Sequence, residues 1–277
     1  MPSGVVDGMR NLAVATFWLC LGLVIMFSTL ALKPKAQATT AAGRKPVLVE
    51  LFTSEGCSSC PPADALLQKL EAEQPVPGAE IIGLEEHVDY WNHDGWVDPY
   101  SSSEWTERQQ VYVALSRDDA YTPELVVDGR SQFVGNNAHR AELEIEKATR
   151  GVKTEVAITA GEAEGKNSQR FNVSMGELGE NLAGDAAEVW LAVTEDGLHS
   201  SVSRGENAGR VLRHVATLRS LSKIGIANAG AAPGSFTGEP VVEFDSRWNP
   251  ENLHVTVFVQ RKKSREILGS ASIRIRG

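Results

Sequence analysis

Two cysteines three residues apart, Cys57 and Cys60, stand where an apolar run gives way to a helical pattern. A thiol at a helix start meets free backbone N–H groups and the positive end of the helix dipole, and both stabilise a thiolate. Such a thiolate attacks a disulfide, or a bound disulfide is attacked by a substrate thiol. Cys57 therefore reads as the nucleophile, and Cys60, one helical turn on, as the thiol that resolves the mixed disulfide. Pro61 follows and stiffens the turn while removing one N–H donor. The competing reading is a structural disulfide in an oxidising compartment. So short a loop gains little chain entropy from closure, which favours chemistry over stapling. A second group of residues is dense in chemistry: His87, Asp89, Tyr90, Trp91, His93, Trp96 and Asp98, within Glu85 to Tyr100. His87 is placed to tune or deprotonate the dithiol. Alternatively Cys57, Cys60 and His87 form a soft-metal site for copper or zinc. The tryptophans read as packing for the loop.

These residues need elements to hold them. Pro46 opens a run, Val47 to Phe52, that reads as a strand buried on both faces with one acid, Glu50, inside it. Thr53 to Gly56 is a loop. Ala63 to Glu73 has Leu66, Leu67 and Leu70 at helical spacing, with prolines tolerated in its first turn. Ile81 to Leu84 is a second strand, and the polar and aromatic stretch from Glu85 to Tyr100 reads as a loop. Ser103 caps a helix to Leu115, with Arg108 and Gln109 expected to brace that loop. Asp128-Gly129 between two apolar runs is a hairpin signal. Asn137 to Arg150 is a further helix. Beyond Gly151 the pattern changes to alternating runs at 152–159, 171–175, 189–193, 211–218, 241–244, 253–259 and 267–275, separated by Gly, Asn, Ser and Pro. That predicts an all-β, sandwich-like half with a boundary near Arg150. It holds no nucleophile, metal cluster or phosphate loop, so no cofactor is expected; His214 and His254 read as structural, and Gly205-Glu206-Asn207 as a turn.

Leu12 to Leu32 is a run of 21 residues without a charge, preceded by Arg10 and followed by Lys33 and an A-x-A pattern ending at Ala38. Two readings fit: a signal peptide cleaved after Ala38, or an uncleaved anchor attaching the chain to a membrane. Either predicts an exported chain, periplasmic or secreted, with residues 1–38 as targeting segment, 39–45 as linker, and halves at 46–150 and 151–277. Cys20 lies in the targeting segment and outside the chemistry. The whole chain has 277 residues, 36 acidic against 27 basic, and a net charge of −9. This excludes a general nucleic-acid binder, which needs a basic footprint. A hydrophobic share of 42% excludes wholesale disorder, and three cysteines are too few for a disulfide scaffold.

The order of elements over roughly residues 46 to 150 resembles the thioredoxin-like fold. A CxxC follows a buried strand and opens a helix, an acid sits in that strand, Thr122-Pro123 precedes a hairpin, and a helix closes the unit. More narrowly, the chain is similar to an uncharacterised family of exported thioredoxin-like proteins, DUF1223. V-E-L-F-T-S-E-G-C-S-S-C-P-P-A-D (Val49 to Asp64), H-V-D-Y-W (His87 to Trp91), G-W-x-D-P (Gly95 to Pro99) and Y-T-P-x-x-V-V-D-G (Tyr121 to Gly129) carry the similarity. G-E-N-x-G (Gly205 to Gly209) and F-V-Q (Phe258 to Gln260) extend it into the second half. The resemblance implies an α/β thioredoxin-like domain followed by an all-β sandwich-like domain. It implies that Pro123 is a cis proline facing the dithiol and that Glu50 relays a proton to Cys60, against the plainer reading of a strand glutamate paired with a base. The expected activity is thiol–disulfide exchange on a protein or small-molecule thiol. The alternatives are the soft-metal protein and a non-enzymatic binding module with a structural disulfide.

Overall fold

Lys45–Thr53 forms strand β1, an aliphatic run in which every residue from Val47 to Thr53 is buried. This is a computed structural model that describes residues 43–116, 119–178, 185–227 and 235–275. The elements after β1 are helix α1 (Pro61–Glu73), β2 (Ala79–His87), helix α2 (Ser103–Ser116), β3 (Glu124–Val127), β4 (Ser131–Val134) and helix α3 (Ala138–Thr149). Then come β5 (Val156–Ala163), β6 (Ser168–Met175), β7 (Ala187–Glu195), β8 (Leu198–Ser201), β9 (Val211–His214) and β10 (Thr217–Ala227). The last are β11 (Phe236–Gly238), β12 (Val241–Glu243), β13 (Leu253–Arg261) and β14 (Ile267–Arg274).

The described chain is mostly β, built on a large mixed sheet ordered β14-β13-β7-β10-β2-β1-β3-β4. β1 runs parallel to β2, and β2 parallel to β10; the other neighbours are antiparallel. Side chains of β1 alternate between two layers. Val47, Val49 and Leu51 pack with Leu67, Leu70, Ala141 and Ile145 of α1 and α3. Leu48 packs on the other side with Trp105 of α2 and with Ala192, Leu218, Phe258 and Ile267. A second sheet, β11-β6-β12 with β5 beside β6, shares one apolar cluster with β7, β13 and β14. The β3–β4 turn places Asp128 and Gly129 at positive φ, 50° and 67°. A side chain at Gly129 would also meet the Arg265 carbonyl, its Cβ only 1.9 Å away.

Four expectations change. The described residues form one compact unit, and the shift of pattern near Arg150 does not separate two sheets: β7, β10, β13 and β14 extend the sheet of β1 and β2. β2 runs on through Glu85, Glu86 and His87, where polarity predicted a loop; each of these charges is buried and met by an opposite one. The run 211–218 is two strands, broken where Ala216 takes a positive φ of 49°. Arg108 braces no loop; it turns inward to Glu50 and Glu86. Residues 1–38 with Cys20, and most of the 39–45 linker, lie outside the described residues. Among the described residues no helix is long and apolar enough to cross a membrane.

Candidate functional site

Cys57 and Cys60 are joined by a disulfide at the start of α1. The chain reaches it from β1 through a tight turn, in which Cys57 N–H donates to the Ser54 carbonyl (3.2 Å) and Cys60 N–H to that of Cys57 (3.2 Å). Pro61 and Pro62 fill the first helical positions, where their missing N–H groups are no loss. The Ala63 and Asp64 N–H groups donate to the Cys60 carbonyl (2.8 and 3.1 Å). Gly56 lets this turn pass under Trp91, since a Cβ there would lie 3.0 Å from the Trp91 Cβ.

Three segments distant in sequence close around the disulfide. The Thr122–Pro123 bond is cis, and the Thr122 carbonyl oxygen lies 3.9 Å from the Cys57 sulfur. Trp91 Nε1–H donates to Thr122 Oγ1 (2.8 Å), tying the tryptophan to the same segment. From the C-terminal half, Asn207 Nδ2–H donates to the backbone carbonyls of both Glu55 and Cys57 (2.9 Å each). Ser58 N–H donates to the Glu206 carboxylate (3.0 Å). Gly205-Glu206-Asn207 is thus a turn, as its composition predicts, and it clamps the cysteine loop. Ser58 and Ser59 are exposed, whereas both cysteines are 0% exposed.

Glu50 points away from the dithiol. Side chains alternate along a strand, so Leu51 and Thr53 face α1 while Glu50 faces α2. There Glu50 accepts from Arg108 Nε–H (2.6 Å) and from the Tyr112 hydroxyl (2.6 Å). The plainer reading, a strand glutamate paired with a base, describes these contacts. The acid on the α1 side is Asp64, whose Oδ1 accepts from Thr53 Oγ1 (2.6 Å). Burial, reinforced by the nearby Glu85 charge, raises its pKa to about 7.

His87 is buried among carboxylates. Its Nδ1 lies 2.7 Å from Asp98 Oδ2, and that oxygen also accepts from the Glu55 N–H (2.8 Å). Its Nε2 lies 3.6 Å from Glu85 Oε2 and has no hydrogen-bond partner. Glu85 in turn lies 3.2 Å from His214 Nδ1 and accepts from Thr217 Oγ1 (3.0 Å). His214 Nε2 lies 3.0 Å from Glu55 Oε1, while the other Glu55 oxygen accepts from Trp96 Nε1–H (2.7 Å). Burial opposes charge on both histidines, but the Asp98 carboxylate holds His87 well above its ordinary pKa, and Glu85 with Glu55 raises His214 to about 9. Conversely, burial opposes charge on Glu85, yet His214 outweighs it and lowers the acid to about 2.

His87 therefore groups with Glu85 and His214, all three buried, and not with the cysteine sulfurs, which are bonded to each other. His214 is the site residue that sequence reasoning missed. Its alternating strand pattern looks structural; it ends β9, and the pairing of Thr217, at the start of β10, with Glu85 of β2 brings it beside that acid. Asn207 and Glu206 were legible only as a turn.

The profile of a family described as a protein of unknown function, DUF1223, matches residues 48–260. No curated protein matches the chain. Among solved structures, a crystal structure of a protein from Agrobacterium tumefaciens is 24% identical, with a TM-score of 0.63 over 84% of this chain and 96% of that one. The structure of HBP35 of Porphyromonas gingivalis is 16% identical, with a TM-score of 0.62 over 85% of this chain and 77% of that one. At these identities the likeness is one of fold.

Proposed function

The chain belongs to the DUF1223 family, whose description states no activity, and from its site we propose an exported thiol–disulfide oxidoreductase built on a thioredoxin-like unit with a sandwich-like β extension. The observation that carries this reading is the Cys57–Cys60 disulfide at the start of α1, with the carbonyl before a cis proline beside Cys57. In the proposed exchange, a substrate thiolate attacks Cys57 Sγ and the Cys57–Cys60 bond breaks, leaving a mixed disulfide and a Cys60 thiolate. A second substrate thiol, deprotonated, then displaces Cys57, so the substrate leaves as a disulfide and the protein as a dithiol; the reverse sequence reduces a disulfide. The positive end of the α1 dipole stabilises the thiolate that forms there, since Pro61 and Pro62 supply no N–H and those of Ala63 and Asp64 go to the Cys60 carbonyl. The apolar segment Leu12 to Leu32 supports export.

Exchange at a sulfur that is 0% exposed requires the clamp at Glu206 and Asn207 or the Trp91 contact to open. That burial favours a second reading, a non-enzymatic module in which the disulfide is structural. Cys57→Ser and the redox potential of the pair separate the two. The oxidoreductase reading expects a potential in the range of about −270 to −120 mV spanned by redox-active dithiols. It also expects loss of thiol-oxidising or insulin-reducing turnover in Cys57→Ser. A potential below about −300 mV with turnover unaffected by the substitution leaves the structural reading.

A further inference from the structure

The cluster under the cysteine loop has the composition and spacing of a metal site. Glu85, His87 and His214 each offer one ligand atom, and these atoms all lie within 4.8 Å of one another. Glu85 Oε2 sits 3.6 Å from His87 Nε2, and Glu85 Oε1 sits 3.2 Å from His214 Nδ1. Ligands bound tetrahedrally at about 2.1 Å from a zinc ion stand about 3.4 Å apart, so each histidine lies near that distance from one oxygen of the Glu85 carboxylate. The nitrogen of His87 that faces the cluster is a buried polar atom without a hydrogen-bond partner. In a protein interior such an atom calls for a partner, and a bound ion or water can supply one.

The outer contacts point the same way. Asp98 bonds the far nitrogen of His87, and Glu55 the far nitrogen of His214. A carboxylate on the outer nitrogen fixes the tautomer and turns the inner lone pair toward a metal, an arrangement that accompanies metal-binding histidines. Thr217 Oγ1 donates to Glu85 Oε2, the oxygen on the His87 side, and fixes the carboxylate's orientation. With both imidazoles neutral, as metal binding requires, the carboxylates of Glu55, Glu85 and Asp98 leave negative charge that a divalent cation offsets. Tyr100, itself reaching the surface, packs edge-on against both rings with centroids 5.5 Å away.

We propose that Glu85, His87 and His214 bind a divalent transition ion of the zinc class, at a site separate from the cysteine pair. Two imidazoles and one carboxylate suit such an ion and leave a position for water or another ligand. The site stands independently of the oxidoreductase reading, because no sulfur takes part.

The test is titration of the full chain with Co²⁺ and Zn²⁺, alongside the Cys57→Ser/Cys60→Ser, His87→Gln and His214→Gln variants. The expected result is one ion per chain in the wild type and in the double cysteine variant. Bound cobalt should show visible d–d bands without an intense thiolate charge-transfer band. Affinity should fall at least tenfold in each histidine variant. Absence of stoichiometric binding by the wild type, binding unaffected by both histidine substitutions, or a thiolate band would overturn the proposal. If the histidine variants do not fold, ¹⁵N imidazole resonances of the wild type decide. Zn²⁺ must shift His87 Nε2 and His214 Nδ1 and leave the other four of the six histidines unmoved; any other pattern rejects the site. Absence of thiol–disulfide exchange by the wild type, with metal binding intact, would count against the oxidoreductase reading alone.

Discussion

At the residue scale, the buried charges are placed in compensated groups, and removing one member strands the others. Arg108 bonds Glu50, lies 3.4 Å from Glu86 and packs over the rings of Tyr112 and Phe258. Arg108→Ala leaves a buried carboxylate unpaired, so urea unfolding should report a loss of about 3–5 kcal/mol. The potential of the cysteine pair should stay unchanged, since Glu50 faces α2. Sequence alone places an acid in β1 but leaves its facing open, because a shift of one residue exchanges the two sides of a strand. Glu71 supplies a pH-dependent case. Burial raises its pKa to about 7 from an ordinary 4.5, although Oε1 accepts from the Gly83 N–H (2.5 Å). Folded Glu71 thus holds its proton where the unfolded chain has lost it. Stability is full below about pH 4.5, falls as the pH rises toward 7 and then levels. Glu71→Gln keeps an acceptor for Gly83 and removes the fall. Unfolding free energies from urea titration should match the wild type near pH 4 and exceed it above pH 7, by about 1 kcal/mol for this partly shielded group.

At the element scale, a turn from the far half of the chain fixes the cysteine loop. The Asn207 amide donates to two backbone carbonyls of the loop between β1 and α1, that of Glu55 and, beside the Cys60 N–H, that of Cys57. Asn207→Ala should cost about 1–3 kcal/mol, the range for leaving a buried polar group unsatisfied. Reduction of the disulfide by dithiothreitol should become faster, a rate readable from loss of the bond after quenching. The three helices and the hairpin were legible because helical spacing and Asp-Gly are local signals, but the cap of α2 falls one residue before Ser103, where Ser102 Oγ accepts from the Glu104 N–H (3.1 Å). β8 and β11 were not: four and three residues carry too little pattern. The end of β2 was not either. Three ionisable residues in succession read as solvent-facing until His214, Thr217 and Arg108 arrive from elsewhere to neutralise them.

At the scale of the whole molecule, the two halves share one sheet and one apolar layer. Leu48, Ile82, Leu84 and Trp105 pack with Ala192, Leu218, Phe258 and Ile267 in a single cluster that crosses the boundary read near Arg150. The described chain should therefore unfold in one step, with calorimetric and van't Hoff enthalpies equal. Leu218→Ala should lower the stability of that one transition by about 2–5 kcal/mol without splitting it. Which strands neighbour one another is a long-range property, and alternation within each strand carries no information about it. That is why the sequence separated halves that the sheet unites. The strand order also has a bearing on recognition. Where β2 reaches the site it lies between β1 and β10: His87 pairs with Thr53 on one side, and the Glu85 N–H donates to the Ala216 carbonyl (2.8 Å) on the other. No extended peptide can add itself as a strand at that end of β2. A partner approaching the disulfide meets a mosaic of exposed hydroxyls, a carboxylate and half-buried indoles at Ser58, Ser59, Glu206, Trp91 and Trp96. Selectivity at this face would come from shape and side-chain chemistry, with little contribution from β2's main chain.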